Sequence, residues 1–287
     1  MKKLLSIFLV LCIVATMAVP ALAVNEGEER VVVGANLTSD QILSVYGQFG
    51  LTRGSVTELT VTNAEERDYL EGLVSESVIG TRSISCVYIK TLGENSGLTV
   101  TTNNINWCSE DMYKSALMTA GIFDAEVKVG APFEVSGTAA LTGIYKAYED
   151  ITGVQLVEEA KEAAADELVL TAELADQLND ADAVAIVNEL KLILDETQNM
   201  TDDELEDQIE EIASQYGYTL DSALVNRLIN LCRSLEGLSI SELQDKVEQF
   251  KSTLSTVTEY AQKAAEFGGK ATGFFSKIGD FFKNLFG

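Results

Sequence analysis

Val31-Val32-Val33-Gly34-Ala35-Asn36-Leu37-Thr38-Ser39-Asp40-Gln41-Ile42-Leu43-Ser44-Val45-Tyr46-Gly47-Gln48-Phe49-Gly50 decides how the first half of the chain folds. Residues 31–37 are β-rich and read as a strand. From Ser39 to Phe49 the apolar residues fall at helical spacing, with Thr38 or Ser39 as the cap and Gly50 as the stop. Residues 56–62 then alternate as a strand does. Asn63, with Glu66 three residues on to complete a capping box, opens a helix that reaches about Val74.

Working outward, residues 82–91 and 98–105 are β-branched and aromatic. The turn-like Gly93-Glu94-Asn95-Ser96-Gly97 between them predicts a hairpin. Ser109 caps a helix ending at Ala120-Gly121, residues 125–130 read as a strand, and Ser136 or Thr138 opens a helix to Tyr148. The order strand, helix, strand, helix occurs twice at similar spacing. This predicts a two-layer α/β domain over residues 24–150 built from a duplicated βαβα unit, within a chain of α+β or α/β class.

After Ile151 the strands stop. Residues 154–178, 181–197, 202–216, 221–235 and 239–267 carry apolar residues three and four apart, as an antiparallel helical bundle requires. Thr201 with Glu204 and Ser239 with Glu242 mark two helix starts, and Gly217 and Gly237 mark two ends. The bundle is expected over 151–267, and residues 268–287 form a glycine hinge and a last helix.

The first residues read as an export signal: Lys2 and Lys3, an apolar run from Leu4 to Ala18, then Pro20 and the small-x-small site Ala21-Leu22-Ala23. Cleavage is expected after Ala23. Cys12 follows Leu11 inside the apolar run, which does not suit lipid attachment. The expected location is outside the cytoplasmic membrane, in a Gram-positive type of envelope.

Charge excludes one large class of partner. The chain holds 45 acidic and 20 basic residues, a formal charge of −25, so nucleic acid, which needs a basic footprint, is not expected. The acidity is concentrated in residues 149–217, and a cationic partner or divalent ions on that face are the matching expectation. The absence of histidine removes the usual triads and the commonest zinc ligand. Cys86, Cys108 and Cys232 lack metal or redox spacing, and an odd count cannot pair completely; whether Cys86 meets Cys108 stays open. The acidic runs 202–207 and 179–182 lack the ligand pattern of a calcium loop and read as solvated first helical turns. No metal site, cofactor or catalytic residue is assigned.

Two binding features remain. Ser136-Gly137-Thr138, at a predicted helix start, offers backbone N–H groups and hydroxyls to an anion, with Arg82 as a cationic helper. Near the end, Phe274, Phe275, Ile278, Phe281, Phe282, Leu285 and Phe286 share one helical face opposite Lys277, Asp280, Lys283 and Asn284. That is the pattern of an interfacial helix, too short to span a bilayer, or of a helix that docks internally.

The stretches Val61-Thr62-Asn63 with Tyr69-Leu70-Glu71-Gly72-Leu73, Ile79-Gly80-Thr81-Arg82-Ser83-Ile84-Ser85, and Pro132-Phe133 with Ser136-Gly137-Thr138-Ala139-Ala140-Leu141-Thr142-Gly143-Ile144 resemble a secreted Gram-positive family classed as domain of unknown function 1002. The resemblance is close over residues 31–153 and looser beyond. It implies export and a fold, and no reaction. The expected function is a non-enzymatic envelope protein that binds an envelope component or the membrane surface near its outer face; the alternative is a cell-wall hydrolase using carboxylates of the first domain.

Overall fold

A computed structural model describes residues 26–251. The leader read at 1–23, the end of the last bundle helix and the Phe-rich segment lie outside the described residues. Strands β1 (Glu29–Gly34), β2 (Thr57–Val61), β3 (Cys86–Thr91), β4 (Leu98–Ile105) and β5 (Ala125–Val135) form one sheet in the order β2-β1-β3-β5-β4. The pairs β1–β2 and β4–β5 are parallel, and β3 runs antiparallel to β1 and β5.

The expected hairpin of residues 82–91 with 98–105 is therefore not formed, because β5 lies between the two strands. The reason is burial. Thr99, Thr101 and Asn103 of β4 are exposed, which suits an edge; Ala125, Val127, Val129 and Ala131 of β5 are almost wholly buried and take the inner place.

The first helices are α1 (Ser39–Phe49), α2 (Asn63–Leu70), α3 (Glu76–Ile79), α4 (Glu110–Thr119) and α5 (Ala140–Thr152). Thr38 caps α1 in a full capping box with Gln41, and Gly50 ends it in the left-handed conformation at φ 76°. Two predicted starts move. Thr62 caps α2 with Glu65 as its partner, so Glu66 is released to the interior. Helix α5 begins at Ala140 without a side-chain cap, so neither Ser136 nor Thr138 caps it.

Helices cover both faces of the sheet, which corrects the two-layer expectation. Ile42, Val45, Tyr46 and Phe49 of α1 pack on Val31, Val33, Cys86 and Tyr88. On the other face Val32, Val87, Ile89, Val100 and Val127 meet α4 and α5. The Val31-Val32-Val33 run is what a strand buried on both faces requires. The steps β1 to β2 and β4 to β5 cross the sheet in the same direction, yet α1 and α4 lie on opposite faces. The two strand–helix–strand units thus have opposite hands and are not superposable copies.

Behind α4 lie α6 (Glu158–Gln177), α7 (Asp180–Leu192), α8 (Leu194–Thr197), α9 (Asp202–Gln215), α10 (Ser222–Leu235) and α11 (Ile240–Lys251). Thr201 with Glu204, and Asp221, cap α9 and α10. One hydrophobic cluster runs unbroken from Val32 and Val127 through Leu117 and Leu168 to Leu228 and Val247, so the sheet and the helical layer share a core across residue 150. No described helix is long and apolar enough to cross a membrane.

Candidate functional site

Helix α6 is the central element of the helical layer, and its sequence divides it by face. Ala164, Leu168, Leu170, Ala172 and Leu174 are buried to within 1%. The outward positions Glu159, Glu162, Asp166, Glu173 and Asp176 recur at intervals of three, four and seven, so they form one stripe about 26 Å long. Every one is a carboxylate. Arg227 of α10 bonds Asp166 and Glu173 in mid-stripe.

A cleft opens at each end of this stripe. At the α6 C-terminus, Thr102, Trp107, Glu110, Asp176 and Asp180 border a space of about 330 Å³. The Trp107 Nε1–H donates to Asp176 at 3.2 Å, and Glu110 accepts the Thr102 N–H at 3.1 Å, occupying a backbone donor of β4. At the α6 N-terminus, Asp68, Tyr69 and Glu71 face Glu159, Glu162 and Asp166 across about 490 Å³. Five carboxylates on the two walls repel one another and attract a cation.

Between the clefts α2 and α3 cross the stripe as a strap. Leu70 and Ile79 cover Val169, a small cluster separate from the main core. The motif 79–83 ties this strap to the sheet. The Ser83 hydroxyl donates to Glu66 at 2.5 Å, the Ser83 N–H to the Asn36 side chain at 2.9 Å, and Arg67 to the Gly80 carbonyl at 2.9 Å. Burial raises the Glu66 carboxyl to about 7, against the hydrogen bonds from Ser83 and Asn63.

The chain's most reactive-looking group of side chains is sealed. Lys191 of α7 pairs with Glu167 of α6 at 2.5 Å, both side chains 0% exposed. Ser115 and Thr119 of α4 donate to the same carboxylate at 2.6 and 2.5 Å. Lys191 also donates to the Ser115 hydroxyl at 3.0 Å and its carbonyl at 2.9 Å. A serine beside a lysine can act as nucleophile and base, but here the ammonium donates to the hydroxyl and neither cleft is lined by these residues. Burial lowers the Lys191 ammonium, opposed by Glu167. The group ties α4, α6 and α7 together.

The sequence-predicted residues are dispersed. Arg82 donates to the Asn36 carbonyl at 3.2 Å beside the end of β1. Ser136 and Gly137 instead close the β4–α4 junction: Ser136 O accepts the Cys108 N–H at 3.1 Å and Gly137 O accepts the Tyr113 hydroxyl at 2.5 Å. Thr138 is buried. Among the described residues no hydrogen bond joins Arg82 to this segment. Cys86 and Cys108 pack on opposite faces of the sheet, and Cys86, Cys108 and Cys232 are all free and buried. Burial lifts the thiol of Cys86 to about 11 and that of Cys232 to about 12, and raises Cys108 as well. Among the described residues no group of three or more Cys, Asp or Glu is placed to hold a metal ion. Residues 274–286 lie outside the described residues. The α6 stripe is visible in the sequence as carboxylates at heptad spacing; Glu66, Glu167 and Lys191 are not, since each looks like a surface charge.

A family model described as a protein of unknown function, DUF1002, matches residues 33–257. The chain belongs to this family. The match covers the sheet and the helical layer alike, so the family unit includes α6 to α11 and does not end near residue 150. An uncharacterized protein of Bacillus subtilis (strain 168), YpuA, is 34% identical over 264 residues, covering 90% of this chain and 87% of that protein. No solved structure matches.

Proposed function

We propose that this chain is an exported, non-enzymatic binding module of the cell envelope whose acidic α6 face holds a cationic segment of another protein. The observation that carries this reading is the contrast between open and sealed groups. The two clefts at the ends of the stripe present carboxylates to solvent, whereas Ser115, Lys191 and the cysteines are closed off and occupied or raised by burial. A stripe of about 26 Å suits an extended or helical basic segment. The leader read at residues 1–23 supplies the address, and the amphipathic segment 274–286 supplies a means of staying near the membrane's outer face.

Calorimetric titration of the mature chain with a lysine-rich peptide of about fifteen residues tests the reading. Binding should weaken steeply between low and physiological salt and disappear when Glu159, Glu162 and Asp176 are replaced by their amides. Equal affinity in that variant contradicts the assignment of the face. Degradation of purified wall material, lost on mutating an acid of the first domain, contradicts the non-enzymatic reading.

A further inference from the structure

The strap across α6 combines features that make it a movable element. Gly72 follows α2 and Gly80 follows α3, both in positive-φ conformations at 90° and 67°, and the strap is seated on α6 through the Leu70–Ile79–Val169 cluster. Its inner wall carries Asp68 and Glu71 toward Glu159, Glu162 and Asp166 of α6, so like charges push it outward.

Lys161 of α6 lies over the Tyr69 ring of α2 at 5.5 Å and Lys146 of α5 bonds Glu65, while the tie from α2 to Ser83 passes through one buried carboxyl. Arg67 holds Glu76 of α3 by two bonds, at 2.7 and 3.0 Å, and donates to Asn63 Oδ1 at 3.1 Å. Asn63 donates to Glu66 at 3.2 Å, and Ser83 donates to the other oxygen of Glu66 at 2.5 Å. Glu66 is 0% exposed, and among the described residues no cation pairs with it. The charged groups around it are engaged elsewhere. Glu65 bonds Lys146 of α5, Arg82 bonds the Asn36 carbonyl, and Lys161 of α6 pairs with Glu158 and Glu149. Asp166 of α6 bonds Arg227. A buried carboxylate without a counter-ion is costly, so the closed strap favours the protonated acid.

We infer that the α2–α3 strap is a proton-operated lid over the acidic α6 face, closed while Glu66 holds its proton and opening when Glu66 ionises. Opening joins the two clefts into a single trough along Glu159, Glu162, Asp166, Glu173 and Asp176. A partner that needs the whole stripe would then gain access as the pH rises. The lid stands whether or not the α6 face binds a cation, and exchange measurements on the free chain test it separately.

Hydrogen–deuterium exchange of the mature chain at pH 6 and pH 8, corrected for intrinsic rates, reads the opening. With the acid at about 7 when closed and at its ordinary value when open, protection of amides 70–80 falls about tenfold between the two pH values. Amides of Val87–Ile89 in β3 keep theirs. The fall disappears in Glu66→Gln. Ser83→Ala keeps the carboxyl but removes its closest donor, so the fall moves to higher pH; this variant serves if Glu66→Gln does not fold. Protection independent of pH in the wild type, or an equal fall in Glu66→Gln, overturns the inference.

Discussion

Replacing Lys191 with methionine should be among the most damaging substitutions in the helical layer. Methionine keeps the length of the side chain but removes the bond to Glu167 at 2.5 Å and the two bonds to Ser115 at 2.9 and 3.0 Å. The Glu167 carboxylate then remains wholly buried, held by Ser115 and Thr119 alone. Stranding one member of a buried pair costs about 3–5 kcal/mol, a large share of the roughly 5–15 kcal/mol that holds a domain folded. Converting both Glu167 and Lys191 to methionine removes both charges and both desolvation penalties. The double variant should therefore lie within about 2 kcal/mol of the wild type, since the Ser115 and Thr119 hydroxyls keep weaker acceptors in the Asn188 side-chain oxygen at 3.2 Å and the Ser115 carbonyl at 3.5 Å. Urea denaturation of the mature chain, followed by far-ultraviolet circular dichroism, gives the three midpoints. If Lys191→Met costs less than about 1 kcal/mol, or the double variant is worse than the single, the pair is not the tie described above.

Other expectations follow from single sites. Glu66 has its carboxyl raised to about 7 in the folded chain against 4.5 when unfolded, so stability falls as pH rises from about 4.5 to 7 and levels off above. Glu66→Gln should remove that slope and gain about 2–3 kcal/mol at pH 8, measured by denaturation at several pH values. Gly137→Ala places a methyl 2.5 Å from both the Ile105 side chain and the Tyr113 hydroxyl, at a φ of 97°; a loss of at least about 2 kcal/mol is expected, read as a lowered melting temperature. The three thiols should resist an aromatic disulfide reagent in the native state and react together on unfolding, followed by absorbance. For the end of the chain, the mature protein should float with liposomes and a version stopped at Gly269 should not; equal flotation removes the membrane role of residues 274–286.

Helix boundaries were legible where a cap announces them. Thr38, Ser109 and Thr201 each accept a backbone N–H at the start of a helix, and Gly50 ends one, because orphan backbone groups leave a local signature. Strand neighbours were not legible. The Gly93–Gly97 turn does exist, with the Ser96 N–H bonded to the Gly93 carbonyl, but a turn fixes only a reversal, and burial decided that β5 takes the inner position. The exposed Thr99, Thr101 and Asn103 of β4 were the available sign of an edge. Glu66 was assigned to a cap because Asn63 lies three residues before it; Thr62 and Glu65 satisfy the same rule one residue earlier. Glu167 and Lys191 were hidden for a different reason. A charge on a helix reads as solvated until its neighbours are known, and the one clue is that Lys191 stands between Leu190 and Leu192 in a segment otherwise nearly free of cations.

The chain's only tryptophan is also the residue whose indole N–H bonds Asp176 at the rim of the first cleft, so its emission reports on the acidic face. Titrating the mature protein with a lysine-rich peptide while following Trp107 fluorescence should give a saturable change. That change should be suppressed by salt and absent in Asp176→Asn with Glu159→Gln and Glu162→Gln. A peptide that binds without altering Trp107, or an unchanged response in the triple variant, would contradict the placing of the binding face on α6.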